Sequence, residues 1–399
     1  MGETKLEMLQ RPAPERGFDT PEFEARTAKA QEKMDRLGIG AMLLSTEAEV
    51  RYYSGFHTPF WQSPTRPWFL VIPLQGKPVA VIPGIGAACW ERTWIEDIRT
   101  WPAPQPDDDG VTLLAETLRE IAGAHGKIGT PMGHETHVRV PAADFDRLRT
   151  QVGANRFVDA TEIVRTQRMV KSAAEIEKIA HICAIASDAF KAFPKFVQIG
   201  DTERQAFARM RIELLQRGAD EVPYLVGSSG PGGFADVIKQ PTNRILGAGD
   251  MMMLDTGAVF DGYFCDFDRN YAFGHATDEM RRAYDVVYAA TEAGIAAAVP
   301  GATAADLFHA MARVMAASGA SEGDVGRLGH GLGMQLTEWP SHTARDRTVL
   351  EPGMVITIEP GMSYGDGFNM LHEENIVIRE NGTELLTRRA PEEIPVIRQ

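Results

Sequence analysis

Two acids eleven positions apart, Asp255 and Asp266, open the series of residues in this chain with the clearest chemical potential. Asp255 closes an apolar run and begins Asp255-Thr256-Gly257, while Asp266 lies inside Gly262-Tyr263-Phe264-Cys265-Asp266-Phe267-Asp268-Arg269. Two strands joined by a short turn would let their carboxylates face each other. Downstream, His330 sits in the bend Gly329-His330-Gly331-Leu332-Gly333, where missing side chains allow other groups to approach closely. Glu359 and Glu374 follow, each placed at a strand end or within a strand. Four carboxylates crowded together cannot all stay ionised without counter-charge, and two divalent cations would supply it. One imidazole with four carboxylates and no thiolate suits Mn, Fe, Co or Zn, and the pattern does not choose among them. Each piece alone says little, because Asp-x-Gly is a common turn and a single histidine in a glycine-rich bend is more often structural. Order and spacing give the series its weight.

The elements that must position these residues are legible from periodicity. Strands are expected over 251–255, 263–271, 354–358 and 376–379, with helices over 278–298 and 304–318 between them. Ahead of these, Ser172 and Glu175 form a capping box that starts a helix running to about Phe190, and a further helix is expected over 201–217. The N-terminal part reads as a separate α/β domain. It has a helix over 21–37, strands at 41–44 and 50–53, a hairpin of 68–73 with 78–83, helices over 111–124 and 142–151, and a short strand at 127–129. The boundary is expected near 155–168, giving domains of 1–163 and 164–399.

Composition narrows the function. The 399 residues are enough for two domains, and 44% hydrophobic with 24% charged residues is ordinary for a folded chain. Lys+Arg 41 against Asp+Glu 55 leaves a net charge of −14, which repels phosphate backbones and anionic membranes and argues against nucleic acid as a partner. Three scattered cysteines suggest neither a disulfide framework nor a thiolate metal site. Residues 1–18 lack an apolar signal core and no run is long enough to span a membrane, so a cytoplasmic protein with a small-molecule substrate is expected. Cys265 and Met251, Met252 and Met253 read as packing residues, and His57 and His342 as surface or loop histidines.

Roughly residues 165–390 resemble the M24 family of pita-bread enzymes, which includes methionine aminopeptidase, proline-specific aminopeptidase, prolidase and creatinase. The family's ligand series of Asp, Asp, His, Glu and Glu falls on Asp255, Asp266, His330, Glu359 and Glu374, and the segment Arg168-Met169-Val170-Lys171-Ser172 matches as well. Arg51-Tyr52-Tyr53-Ser54-Gly55-Phe56 resembles the opening of the N-terminal domain of prolidase and creatinase. The resemblance implies an α/β fold of a creatinase-like N-terminal domain followed by a duplicated α-β catalytic domain. It also implies a homodimer and two bridging metals that activate water, with Glu359 moving protons and Asp255 and His330 completing the catalytic group.

The chain departs from the peptidases at two places. Thr337, within Met334-Gln335-Leu336-Thr337-Glu338-Trp339-Pro340, stands where they carry a histidine, and Ile238 stands near the place of another. A missing donor on the oxyanion side costs ~3 kcal/mol or more in the transition state. The Met334-to-Pro340 stretch and the aromatic residues Phe56, His57, Phe60, Trp61 and Trp68 resemble the ectoine hydrolase branch, whose substrate is a cyclic amidine bearing a carboxylate. Tyr52, Trp61, Trp68, Thr337 and Glu338 are then the substrate-binding candidates, aromatic walls offering a delocalised cation ~0.5–2 kcal/mol. Trp61 and Trp68 could equally pack the N-terminal domain. The leading expectation is ring opening of ectoine or 5-hydroxyectoine to N-acetyl-2,4-diaminobutyrate. The alternatives are a metal-dependent Xaa-Pro dipeptidase or aminopeptidase and a non-catalytic binding protein of the same fold. Creatinase works without metal, so a metal-free use of the acids stays open beside the metal-bound one.

Overall fold

The computed structural model describes residues 12–63, 66–123, 125–319 and 326–398. The chain divides into two compact units, Glu15–Arg168 and one containing Met169–Gln399, so the division falls a few residues past the expected 163/164 boundary. The first eleven residues, which bear on the expected absence of a signal segment, lie outside the described residues, as does Ala124 at the expected end of a helix.

The N-terminal unit is a six-stranded mixed sheet in the order β4-β3-β2-β1-β5-β6, from β1 (Ile39–Leu44), β2 (Phe69–Pro73), β3 (Val79–Pro83), β4 (Asp97–Trp101), β5 (Lys127–Thr130) and β6 (Phe157–Asp159). The expected hairpin is present, with β2 and β3 antiparallel. Ala41, Leu43, Val71 and Val81 pack one face against Leu114, Leu118 and Leu148 of the helices Val111–Ala122 and Ala142–Val152. One element differs from expectation. Residues 50–53 are not a strand but part of the helix Glu47–Ser54, although Val50, Tyr52 and Tyr53 favour strands on propensity alone. Extended Thr46 precedes the helix, Glu47 and Glu49 place negative charge in its first turn, and Gly55 at φ 76° ends it. Burial of six of its eight residues, Val50, Tyr52 and Tyr53 among them, outweighs the propensity.

In the second unit, a pair of helices followed by an antiparallel sheet occurs twice. Helices Ala173–Ala192 and Glu203–Gln216 lead into β7 (Glu221–Pro231), β8 (Asp250–Phe260), β9 (Tyr263–Phe264) and β10 (Phe267–Phe273). Helices Asp278–Ala297 and Ala304–Ala317 lead into β11 (His330–Gly331), β12 (Glu338–Ser341), β13 (Val355–Ile358), β14 (Gly361–Tyr364), β15 (Phe368–Leu371), β16 (Glu374–Arg379) and β17 (Gly382–Leu385). One sheet runs β18-β10-β8-β7, closed by β18 (Val396–Ile397) and with β9 on β8; the other runs β12-β11-β13-β16-β17. The Ser172–Glu175 capping box is formed in both directions, at 3.3 and 2.9 Å. Met251, Met253, Met280, Tyr284, Val287, Ile356, Ile358 and Ile376 share one apolar core, which accounts for the methionine run as packing. Cys265 is likewise fully buried.

Candidate metal centre

The strand pleat decides which acids meet. On β8, Asp255 lies directly opposite Asp268 of β10, and paired residues of neighbouring strands project to the same face. Asp266, two positions before Asp268, shares that face by the period-two alternation of a strand. Three carboxylates from one hairpin therefore converge. The second sheet supplies the rest from the turn after β13 and the start of β16. There Ile358 pairs with Glu374, and Ile358 points into the apolar core. The next residues outward, Glu359 and Glu373, must then project to the opposite face.

Glu374 is thus not in the cluster, contrary to the sequence expectation. It is fully buried behind it, its carboxylate taken up by Arg269 at 3.0 Å, Arg389 at 3.1 Å, the Ala390 amide at 2.9 Å and the Thr387 hydroxyl. Glu373 takes its place. Ligand-capable atoms of Asp266, His330 and Glu373 all lie within 4.8 Å of one another. His330 Nε2 is 3.4 Å from Asp266 and 3.7 Å from Glu359. Its Nδ1 lies 2.8 Å from the Gly331 carbonyl, which can only accept, so Nδ1 carries a proton and Nε2 is the nitrogen turned toward the acids. Gly329, at φ 139°, gives the bend its form, and a Cβ there would meet the Thr357 carbonyl at 2.4 Å.

Burial and mutual repulsion push these acids up. Asp255 is raised by desolvation first and then by Asp266 and Glu359, and Glu373 by desolvation and then by Asp266, Glu359 and Asp255. Asp268 is raised by desolvation and then by Asp255, and Asp266 by desolvation, partly offset by Arg327. Asp255 Oδ1, Asp268 Oδ1 and Glu373 Oε1 are buried without a hydrogen-bond partner among the described residues. Buried oxygens in that state are costly unless a proton or a cation satisfies them. The donor set of carboxylates around one imidazole fits hard-to-borderline divalent metals.

Three residues absent from the sequence reading border the cluster. The Tyr224 hydroxyl is influenced by Asp255: burial first, and then the Asp255 charge, push it well above the usual phenol range. Arg327 places Nε 3.8 Å from Glu359 and donates from Nη2 to the Thr337 hydroxyl at 3.2 Å. Asp268 was visible as an acid two positions after Asp266, but only pairing with Asp255 shows that it faces the same way.

Most of the substrate-binding candidates have other employment. Trp68 is 2% exposed and Trp61 6%, packed with Phe56 and, through it, with Trp90, at ring separations of 4.4 to 6.3 Å. Tyr52 is buried beneath the Arg26 guanidinium, 4.1 Å from its ring centre. These aromatics fill the N-terminal unit because their area is too large to leave wet. Glu338 is buried in a 3.1 Å ion pair with Lys171 and accepts from the Gln335 amide. Only Thr337, half-buried and touching Arg327, keeps a place beside the cluster. Ile238 is 71% exposed. His57 is exposed as expected, but His342 is fully buried against the Thr357 carbonyl, and desolvation pushes it down to about 3.

Two helix-pair-and-sheet halves that close carboxylates and an imidazole around one buried point make this protein a metal-dependent hydrolase. The chain belongs to the metallopeptidase family M24, whose model matches residues 177–380, and residues 26–170 match the creatinase/prolidase N-terminal domain. It is 27% identical over 384 residues to a probable dipeptidase PepE of Mycobacterium tuberculosis, covering 96% of this chain and 98% of that one. It is 30% identical over 255 residues to the Xaa-Pro dipeptidase of Pyrococcus horikoshii, covering 62% of this chain and 71% of that one. Among solved structures it is similar to dipeptidase PepE from Mycobacterium ulcerans, with a TM-score of 0.83, 29% identity, and 95% and 99% of the two chains covered. These relatives favour the peptidase alternative over ectoine ring opening. No helix among the described residues is long and apolar enough to cross a membrane.

Proposed function

We propose that the chain hydrolyses an amide C–N bond in a small substrate, as a metal-dependent dipeptidase of the Xaa-Pro type. The observation that carries this reading is that ligand atoms of Asp266, His330 and Glu373 lie within 4.8 Å of one another, with Glu359 3.7 Å from His330 and oxygens of Asp255, Asp268 and Glu373 buried without a partner among the described residues. Asp255, Asp266, His330, Glu359 and Glu373 would hold two divalent ions, which when bound polarise the scissile carbonyl and lower the pKa of water. Around them the chain's own groups divide the work. Tyr224 borders Asp255, the Gly331 carbonyl orients the His330 ring, and Glu359 holds and returns the proton that must reach the leaving amine. Glu359 suits that role because its side chain is 22% exposed, whereas the side chain of Asp266 is only 6% exposed.

Ectoine ring opening has Thr337 in its favour, but burial of Tyr52, Trp61 and Trp68 withdraws the aromatic wall within this unit. The deciding experiment compares Xaa-Pro dipeptides, dipeptides without proline, and ectoine as substrates of the Mn-loaded protein, with and without chelator. Chelator-sensitive release of free amino acids supports the proposal, and turnover of ectoine alone replaces it. The protein is expected to be a homodimer, as read by light scattering.

A further inference from the structure

Next to the acids, along the same two strands, a pair of uncharged side chains faces the same way. Thr357 of β13 lies directly opposite Asn375 of β16, and opposed residues share a face of the sheet. Glu359 comes two positions after Thr357 and Glu373 two before Asn375, so the alternation of a strand turns all four to the cluster side. Thr357 and Asn375 are completely buried. Each holds the backbone of a residue that the cluster needs. The Thr357 hydroxyl accepts from the His330 amide at 3.0 Å. Asn375 takes both peptide groups of Asp266: its Oδ1 accepts from the Asp266 amide at 2.9 Å and its Nδ2 donates to the Asp266 carbonyl. The Cys183 thiol donates to the same Oδ1 at 3.3 Å.

The strand ladder explains why Asp266 needs such a partner. Cys265 donates to the Ala258 carbonyl on β8 at 3.0 Å, so the peptide groups of the next residue turn to the other side of the strand. There β18 pairs with Ala272 and Phe273, well past Asp266. Peptide groups buried without a partner are costly, and a carboxamide, which offers a donor and an acceptor side by side, stands in for the absent strand. We propose that Thr357 and Asn375 are positioning residues that set the spacing of His330 and Asp266 for metal. The inference rests on the metal-dependent reading of the site and names the uncharged groups that give the cluster its dimensions. Asp266 comes from the first helix-pair-and-sheet half, and His330 and Glu373 come from the second, yet their ligand atoms lie within 4.8 Å of one another. Asn375 bridges the halves at that point, with its main chain paired to β13 and its side chain on Asp266. Thr357, across the ladder, fixes the bend that carries His330.

The test is calorimetric titration of Mn into the metal-free full chain, with its thermal unfolding read alongside, for the wild type, Thr357→Val, Thr357→Ser, Asn375→Leu and Glu374→Gln. Thr357→Val should weaken Mn binding by ~10–100-fold, the usual scale for a partner that orients a ligand, and Thr357→Ser, which keeps the hydroxyl, should stay near the wild type. Asn375→Leu should weaken binding at least as much as Thr357→Val. Should it fail to fold, Asn375→Asp, which keeps the shape and the acceptor but loses the donor, takes its place with the same expectation. Glu374→Gln is the control, expected to lower Tm without moving Mn affinity. A role in packing alone would reverse the Thr357 order, because valine keeps the methyl group that serine loses. That reversal, or Mn affinity unchanged in Thr357→Val and in the Asn375 variant, overturns the inference. Failure of amide hydrolysis leaves the titration readable. The metal reading fails separately, if the wild type takes up no divalent ion. Crystal structures of the metal-free variants then decide: Asp266 displaced from His330 by more than ~0.5 Å in the Asn375 variant supports the positioning role, and an unmoved Asp266 refutes it.

Discussion

Adjacent glutamates on opposite faces of one strand start give the sharpest prediction, because their exchange for glutamine should have opposite consequences. Glu374 is completely buried and binds two arginines, at 3.0 and 3.1 Å, besides the Ala390 amide and the Thr387 hydroxyl. Glu374→Gln removes the charge and leaves Arg269 and Arg389 with a neutral partner in the interior. Breaking a buried ion pair from one side costs ~3–5 kcal/mol, and for a domain of this size each kcal/mol lowers Tm by roughly 2–4 °C. The expected loss is therefore about 10 °C, with no direct effect on metal uptake by the fraction that stays folded. Glu373 has no such partners: its Oε1 is unsatisfied, and beside His330 the groups that act on it are the acids Asp266, Glu359, Asp255 and Asp268. Glu373→Gln relieves repulsion in the metal-free protein, so its stability should hold or rise, while metal affinity falls by roughly 10²-fold or more. Plasma emission analysis of dialysed protein and thermal unfolding with and without Mn read both effects. If Glu374→Gln loses metal at unchanged stability while Glu373→Gln keeps it, the pleat argument is wrong and the sequence expectation for Glu374 is reinstated.

Four further outcomes follow. Acids raised in the folded metal-free protein bind more protons there than in the unfolded chain. Their contribution is complete below the ordinary carboxylate range and is lost as pH climbs through the raised values; the gap in Tm between Mn-loaded and metal-free protein should widen over that climb, and a constant gap would contradict it. His342, pushed down to about 3, works in the other sense, being present in full above 6.5 and lost as pH falls toward 3; a His342→Gln protein that still folds should show a flatter acid limb in urea titrations. Asp268→Asn should weaken metal retention on dialysis by ~10-fold or more while leaving the melting profile in place, as for a group bordering the ligands. Trp68→Ala should destabilise the N-terminal unit by ~3–5 kcal/mol and leave KM for a dipeptide unchanged; a KM rise without a stability loss would restore its substrate-binding role.

The nature of the site was legible in the linear order of residues. Asp255, Asp266, His330 and Glu359 could be named from type and spacing because the elements that hold them are local, a hairpin of apolar strands and a glycine-rich bend. Capping residues and apolar periodicity likewise fixed most helices, since those signals act within a few turns of the chain. Three matters were decided only in three dimensions. Whether Glu373 or Glu374 enters the cluster depends on the pairing of Ile358 with Glu374, and a shift of one residue in a strand reverses every side chain. Asp268 joins the site through its register against Asp255 in the ladder, and Arg327 through Glu359, thirty-two positions further along the chain. The tryptophans were ambiguous because a large aromatic ring serves a core or a binding wall equally well, and only the packing around Phe56 and Trp90 separates the two. Residue type tells which groups can do chemistry; long-range pairing and burial determine which of them meet.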